Sequence, residues 1–219
     1  MATYQALPRR FYERPTILVA LDLLGCTLRH KTRAGIISGR IVEVEAYLGQ
    51  SDPASHAFIG RTERTKIFWQ GAGIAYIYFI YGMYLCFNVI TRSAGDVGGV
   101  LVRALEPMEG TPLMQKNRGT EEITALTSGP GKLTRALAIT LTDNGRDVTR
   151  GDLTVVPGSA PSRITVAGRV GISRAKEAPL RFYQSGSIYV SRAATRIRFA
   201  GNRAEAEAFL LREPLDIKA

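Results

Sequence analysis

The 219-residue chain carries 29 Lys and Arg against 19 Asp and Glu, a formal charge of +10 with a sequence pI near 9.9, so its field draws polyanions and nucleic acid leads the partner classes. Two separated cysteines among apolar neighbours, Cys26 and Cys86, and two histidines, His30 and His56, argue against a disulfide framework, a zinc site or a histidine-rich metal centre and for a reducing compartment. The apolar run at 17–24 is broken by Asp22 and is too short for a membrane span or a signal sequence, and no basic amphipathic helix suits a membrane surface.

Taken in chain order, Pro15 at the entry and Gly25 past the end bracket a core helix over 15–24. Residues 35–47 alternate, with Val42, Val44 and Ala46 on one face and Glu43, Glu45 and Tyr47 on the other, which predicts a half-buried strand with a chemical face. The stretch 51–70 is polar and broken by glycine and proline, a functional loop with at most a short helical turn. Residues 74–81 and 85–91 predict a hairpin that turns near Tyr81-Gly82-Met83-Tyr84 and crowds aromatics at its tip. A strand follows over 99–105, and Pro107 is expected to start a helix running to about 117. Ser128-Gly129-Pro130-Gly131-Lys132 opens a further helix over 133–139, whose first N–H groups could hold a phosphate. Strands at 153–156, 163–170 and 188–191 then alternate with basic loops before a short helix over 204–211. No repeat, linker or low-complexity tract interrupts this pattern, and one domain over residues 1–219 is expected.

Two nucleotide motifs fail on inspection. Gly71-Ala72-Gly73 lacks a third glycine and leads into a strand, while Gly131-Lys132 has Leu126 and Leu133 where a phosphate-binding loop needs Gly and Ser or Thr. Glu43 and Glu45 stand too close to ionise freely in a dry site without a cation, and Arg103, set in the apolar strand 100–105, is the candidate. A structural ion pair at a sheet edge explains the same spacing and is favoured by spacing alone. Tyr76, Tyr78, Tyr81 and Tyr84 read equally as strand aromatics or as stacking surfaces and a wedge for an extruded base. His56 by itself reads as a satisfied polar residue.

Arg40-Ile41-Val42-Glu43-Val44-Glu45-Ala46-Tyr47-Leu48-Gly49, then His56, then 75–88, then Leu101-Val102-Arg103-Ala104-Leu105-Glu106-Pro107 resemble, in order and spacing, the alkyladenine (3-methyladenine) DNA glycosylase family. Ser128-Gly129-Pro130-Gly131-Lys132-Leu133 and Leu180-Arg181-Phe182-Tyr183 extend the resemblance to most of residues 12–191. It implies a mixed α/β (α+β) single domain with a curved, mainly antiparallel sheet, surrounding helices and a protruding β-hairpin that intercalates into DNA. It also implies Glu45 as general base with Arg103 beside base and water, Tyr47 and Tyr78 sandwiching the flipped base, and His56 hydrogen-bonding it. Asn88 would clash with guanine's exocyclic amine, Tyr81 would fill the gap in the duplex, and Lys132, Arg181, Arg61 and Arg64 would meet the DNA backbone. The chain departs from the family at Thr62-Glu63-Arg64, where Thr-Pro-Arg is common, and over 66–71.

The activity so implied is that of a monofunctional, metal- and cofactor-independent purine DNA glycosylase. It would flip alkylated or deaminated purines (3-methyladenine, 7-methylguanine, hypoxanthine, ethenoadenine) out of double-stranded DNA and leave an abasic site for base excision repair. A monomer with no membrane association is expected, cytoplasmic and nucleoid-associated in a prokaryote and nuclear otherwise. A π sandwich that accepts cations suits the methylated bases. A non-catalytic nucleic-acid-binding protein fits the charge and aromatics equally, but gives no reason for a carboxylate facing a polyanion. A hydrolase of free nucleosides leaves the hairpin wedge unexplained.

Overall fold

In a computed structural model of the protein, residues 5–92, 96–192, 195–212, 215 and 217 are described. The β-branched and aromatic runs form strands: β1 (Thr27–Thr32), β2 (Gly35–Tyr47), β3 (Ala75–Ile80), β4 (Tyr84–Thr91), β5 (Gly98–Pro107), β6 (Leu153–Val156), β7 (Ile164–Ala167), β8 (Arg181–Gln184) and β9 (Ile197–Gly201). They join one sheet in the order β3-β4-β5-β2-β8-β7-β9, with β1 pairing to β2 and β6. Every pairing among these strands is antiparallel. Five α-helices surround it: α1 (Arg9–Tyr12), α2 (Thr16–Leu23), α3 (Thr111–Arg118), α4 (Pro130–Ala136) and α5 (Arg203–Arg212). The architecture is α+β, as the sequence implies.

β2 is the spine. Its first half pairs with β1 and its second half with β8, while β5 runs along its other edge. The strand is therefore central and buried along most of its length, not half-buried and not at an edge, so its polar face points into protein instead of water. In the β2–β5 register Ile41 faces Leu105, Glu43 faces Ala104 and Val44 faces Val102. Val42 and Arg103 are thus left as the extra residues of a bulge, a device that bends a strand and re-aims a side chain.

The register then sorts the faces. Val44, Ala46, Val100, Val102, Phe87 and Val89 point into the main core with Leu21 and Leu23 of α2. The opposite face of β3, β4, β5 and β2 gathers Tyr76 and Tyr78, Cys86 and Asn88, Leu101, and Glu45 and Tyr47. Gly99 on this face keeps space open above the sheet. A second cluster of Ala57, Ile67, Phe68, Tyr76, Ile90 and Val97 anchors the 51–70 stretch, which folds into 3₁₀ turns at Gly49–Ser51, His56–Ile59 and Lys66–Trp69. Gly49 makes the bend after β2 possible: its φ is +68°, and a Cβ there would run into the carbonyl of Val97.

Several sequence expectations change. Pro107 ends β5 instead of opening a helix, because Met108 N–H still pairs with Ser38 O at 2.9 Å, and α3 starts only after Gly110, at φ +79°. Residues 188–191 form no strand. Ser191 N–H donates to the Glu43 carboxylate instead of to a ladder, and the strand of this region is β8. The strand expected over 163–170 is shorter, because Gly168 to Val170 leave the sheet for the site described next. β1 is rich in polar residues and β9 spans only five residues, so neither carried a clear strand signal.

Candidate active site

Glu43 and Glu45 are fully buried, and burial demands partners for both charges. Glu43 Oε1 accepts from Arg103 Nε at 2.9 Å, Arg181 Nε at 2.7 Å and Ser191 Oγ at 2.8 Å, and Oε2 accepts from Ser191 N–H at 2.6 Å. That carboxylate accepts four hydrogen bonds among the described residues, three of them on Oε1. Glu45 Oε1 accepts from Val170 N–H at 2.7 Å and lies 3.2 Å from Arg103 Nη1. Among the described residues its Oε2 accepts a single bond, from the Tyr47 hydroxyl at 2.8 Å. Arg103 therefore joins the two acids. Its burial pulls the guanidinium pKa down, and Glu45 and Glu43 together more than offset this, so it stays charged.

Above this layer opens a cavity of about 410 Å³, lined among others by Tyr47, His56, Tyr78, Asn88 and Arg103. Glu45 sits one layer beneath, covered by Tyr47, Arg103 and Val170, which themselves form the floor. Asn88 is held by its Nδ2, which donates to Tyr76 O at 3.0 Å. His56 Nδ1 meets the Tyr76 hydroxyl at 3.0 Å, and its ring stands edge-on to Tyr78 with centroids 4.5 Å apart. Burial, aided by the Arg64 guanidinium, pushes the His56 pKa down to about 4, so the imidazole is neutral at pH 7. Burial also raises the hydroxyl pKa of Tyr47 and of Tyr78, keeping both phenols protonated.

Tyr81 lies at the β3–β4 turn and at the mouth of this cavity, 77 % exposed. Tyr81 and Gly82 both have positive φ, 53° and 70°, the backbone of a primed turn that follows the strand twist. Phe79, Met83 and Tyr84 are exposed beside it. Arg61, Arg64 and Lys132 are exposed on the loop and on α4. Arg64 also lines the cavity, its guanidinium carbon 5.5 Å from the centre of the Tyr78 ring.

Arg181 contradicts its expected place on the DNA backbone. Its side chain is 2 % exposed and spent on Glu43, the Thr195 hydroxyl and Ser191 O, because β8 lies inside the sheet. Sequence reasoning also missed residues that complete the site. Arg169, at the end of β7, pairs with Asp52 through both terminal nitrogens at 2.5 and 2.9 Å, with both side chains fully buried, and covers one face of Tyr47 at 4.8 Å. Val170 supplies a backbone donor to Glu45. The positions lie about 120 residues from the strand they serve, so no spacing could reveal them; the Arg169-Val170-Gly171 run carried no periodicity.

Among the described residues no cluster of three or more His, Cys, Asp or Glu could hold a metal ion, and no helix is long and apolar enough to cross a membrane.

Residues 10–188 match the methylpurine-DNA glycosylase family. A protein of Methanoculleus marisnigri named "Putative 3-methyladenine DNA glycosylase" is 51% identical over 191 residues, which cover 85% of this chain and 98% of the relative. Relatives of the same name from Carboxydothermus hydrogenoformans and Desulfitobacterium hafniense are 44% identical over 189 residues and 45% over 198, covering 85% and 84% of this chain and 98% of each relative. A similarity that spans the acid-bearing strand, the aromatic hairpin and the arginine strand together establishes that the chain belongs to the methylpurine-DNA glycosylase family.

Proposed function

We propose that this glycosylase takes a damaged purine out of duplex DNA, holds it between Tyr47 and Tyr78, and hydrolyses its N-glycosidic bond with Glu45 as the base. One observation carries the reading: a buried carboxylate with spare acceptor capacity on Oε2 lies directly under an aromatic cavity and is tied to an arginine in the cavity wall. As the bond from C1′ to the base breaks, its electron pair leaves on the base nitrogen and the sugar gains oxocarbenium-like charge. The Glu45 carboxylate stabilises that charge and takes a proton from the water whose oxygen bonds to C1′.

His56, neutral and tied to Tyr76, can donate one hydrogen bond to the bound base. Asn88 would crowd guanine's amine and so reject a normal base. Tyr81 would enter the duplex where the base left, paying for part of the extrusion by stacking. Arg61, Arg64 and Lys132 would meet phosphates independently of sequence. Among the described residues no lysine lines the cavity, which supports attack by water and not by an amine. The substrates of this reading are 3-methyladenine, 7-methylguanine, hypoxanthine and ethenoadenine in double-stranded DNA.

The test compares wild type with Glu45→Gln on duplexes bearing hypoxanthine or a methylated purine, reading released base and abasic sites. Release should fall by about 10²–10⁴-fold in the variant, the usual worth of a positioned base. Tight binding by the wild type without release would favour a binding protein, and an imine trapped by borohydride would overturn the water mechanism.

A further inference from the structure

We infer that Arg169 sets the damage preference of the cavity: by occupying the buried face of Tyr47 it makes the pocket favour electrically neutral damaged purines over cationic ones. The inference rests on the base-pocket reading above. A tyrosine ring attracts cations through one π cloud shared by its two faces. Here the buried face is already taken, with the Arg169 guanidinium carbon 4.8 Å from the ring centre.

That arginine cannot swing away. Asp52 grips both terminal nitrogens at 2.5 and 2.9 Å, and Nη1 also donates to Ala46 O at 3.1 Å. Asp52 is itself fixed by the N–H groups of Leu48 and Ala54. A cationic base stacked on the open face would share the ring with the guanidinium end of the net-neutral Arg169–Asp52 pair; a neutral base loses nothing by doing so.

The rest of the cavity points the same way. Among the described residues the charged side chains in its lining are Arg64 and Arg103, and no carboxylate lines it. Arg64 stands over the ring of Tyr78, the opposite plate. Glu45 does not line the cavity; its Oε1 lies 3.2 Å from Arg103 and its Oε2 accepts from the Tyr47 hydroxyl at 2.8 Å. His56 is neutral and offers no countercharge. Sequence alone suggests a sandwich that welcomes cations, because it does not reveal what stands behind the plates.

The experiment measures wild-type affinity for two duplexes whose central bases have the same shape and different charge: cationic 3-methyladenine and neutral 3-deaza-3-methyladenine, both on 2′-fluoro sugars that resist cleavage. The neutral base should bind at least as tightly as the cationic one, and a ten-fold preference for the cation would overturn the inference. The Asp52→Asn/Arg169→Gln variant removes both buried charges together, so neither is left unpaired. Its cationic-to-neutral affinity ratio should rise about five-fold over wild type, within the range of a cation–π contact, whereas Arg169→Lys should hold the ratio near the wild-type value. Equal loss for both bases would show a merely structural role and overturn the inference. Should the double variant fail to fold, the wild-type comparison decides alone. Binding of neither base above undamaged duplex would overturn the base-pocket reading itself, and this inference with it.

Discussion

Glu43 and Glu45 are two residues apart on one strand, yet their surroundings divide their work. Glu43 accepts four hydrogen bonds, two of them from buried guanidinium groups, whereas Glu45 bonds three residues that line the cavity. Glu43→Ala would strand Arg103 and Arg181 as buried unpaired charges, and we expect a loss of about 3–5 kcal/mol in chemical denaturation. Glu45→Gln keeps the shape and should cost far less stability while lowering turnover about 10²–10⁴-fold. His56 adds a pH dependence of known sign. Its folded pKa of about 4 lies below the ordinary imidazole value of 6.5, so the unfolded chain takes up the proton first as pH falls. The stability contributed by the neutral ring is present above pH 6.5 and is lost between 6.5 and 4. The thermal midpoint of wild type should fall through that window, and that of His56→Gln should fall less.

At the scale of elements, the β3–β4 turn and the bend after β2 separate function from folding. Tyr81 is 77 % exposed at φ 53°, so the core gains little from it. Tyr81→Gly should leave the denaturation midpoint within about 0.5 kcal/mol of wild type while weakening capture of damaged duplex about ten-fold or more, the range for losing one stacking aromatic. Gly49→Ala should do the reverse. A methyl group there meets the Val97 carbonyl at a positive φ, and we expect a loss on the order of 3 kcal/mol, read as a lower thermal midpoint. The strand pattern of β2, β3, β4 and β5 and the helix α2 were legible in the sequence, because period-two alternation and the Pro15 and Gly25 boundaries are local signals. β1 and β9 were not, since a polar strand and a five-residue one owe their pairing to neighbours more than to their own residues.

For the molecule as a whole, the +10 charge predicts duplex binding that weakens steeply with salt. Lys132→Gln and Arg61→Gln, both at exposed positions, should each lower affinity equally for damaged and undamaged duplex. Each should also flatten the slope of log K against log salt by about one, if that residue meets a phosphate. Arg181→Gln belongs to a different class: it should destabilise the fold, because its charge is buried against Glu43.

The sequence by itself determined the face of β2 that bears the acids, the aromatic hairpin and the family resemblance, since each is written in contiguous residues. It placed Glu45, Tyr47, Tyr78, Asn88 and Arg103 in one candidate set. Only the tertiary structure decided which of two nearby acids is tied to the cavity wall, that Arg181 is a buried partner and not a DNA contact, and that Arg169 with Asp52 packs on Tyr47. The reason is physical: a side chain's role follows from what desolvates and pairs it, and here those partners arrive from β5, β7, β8 and the 188–191 turn, distant in sequence and brought together by the sheet.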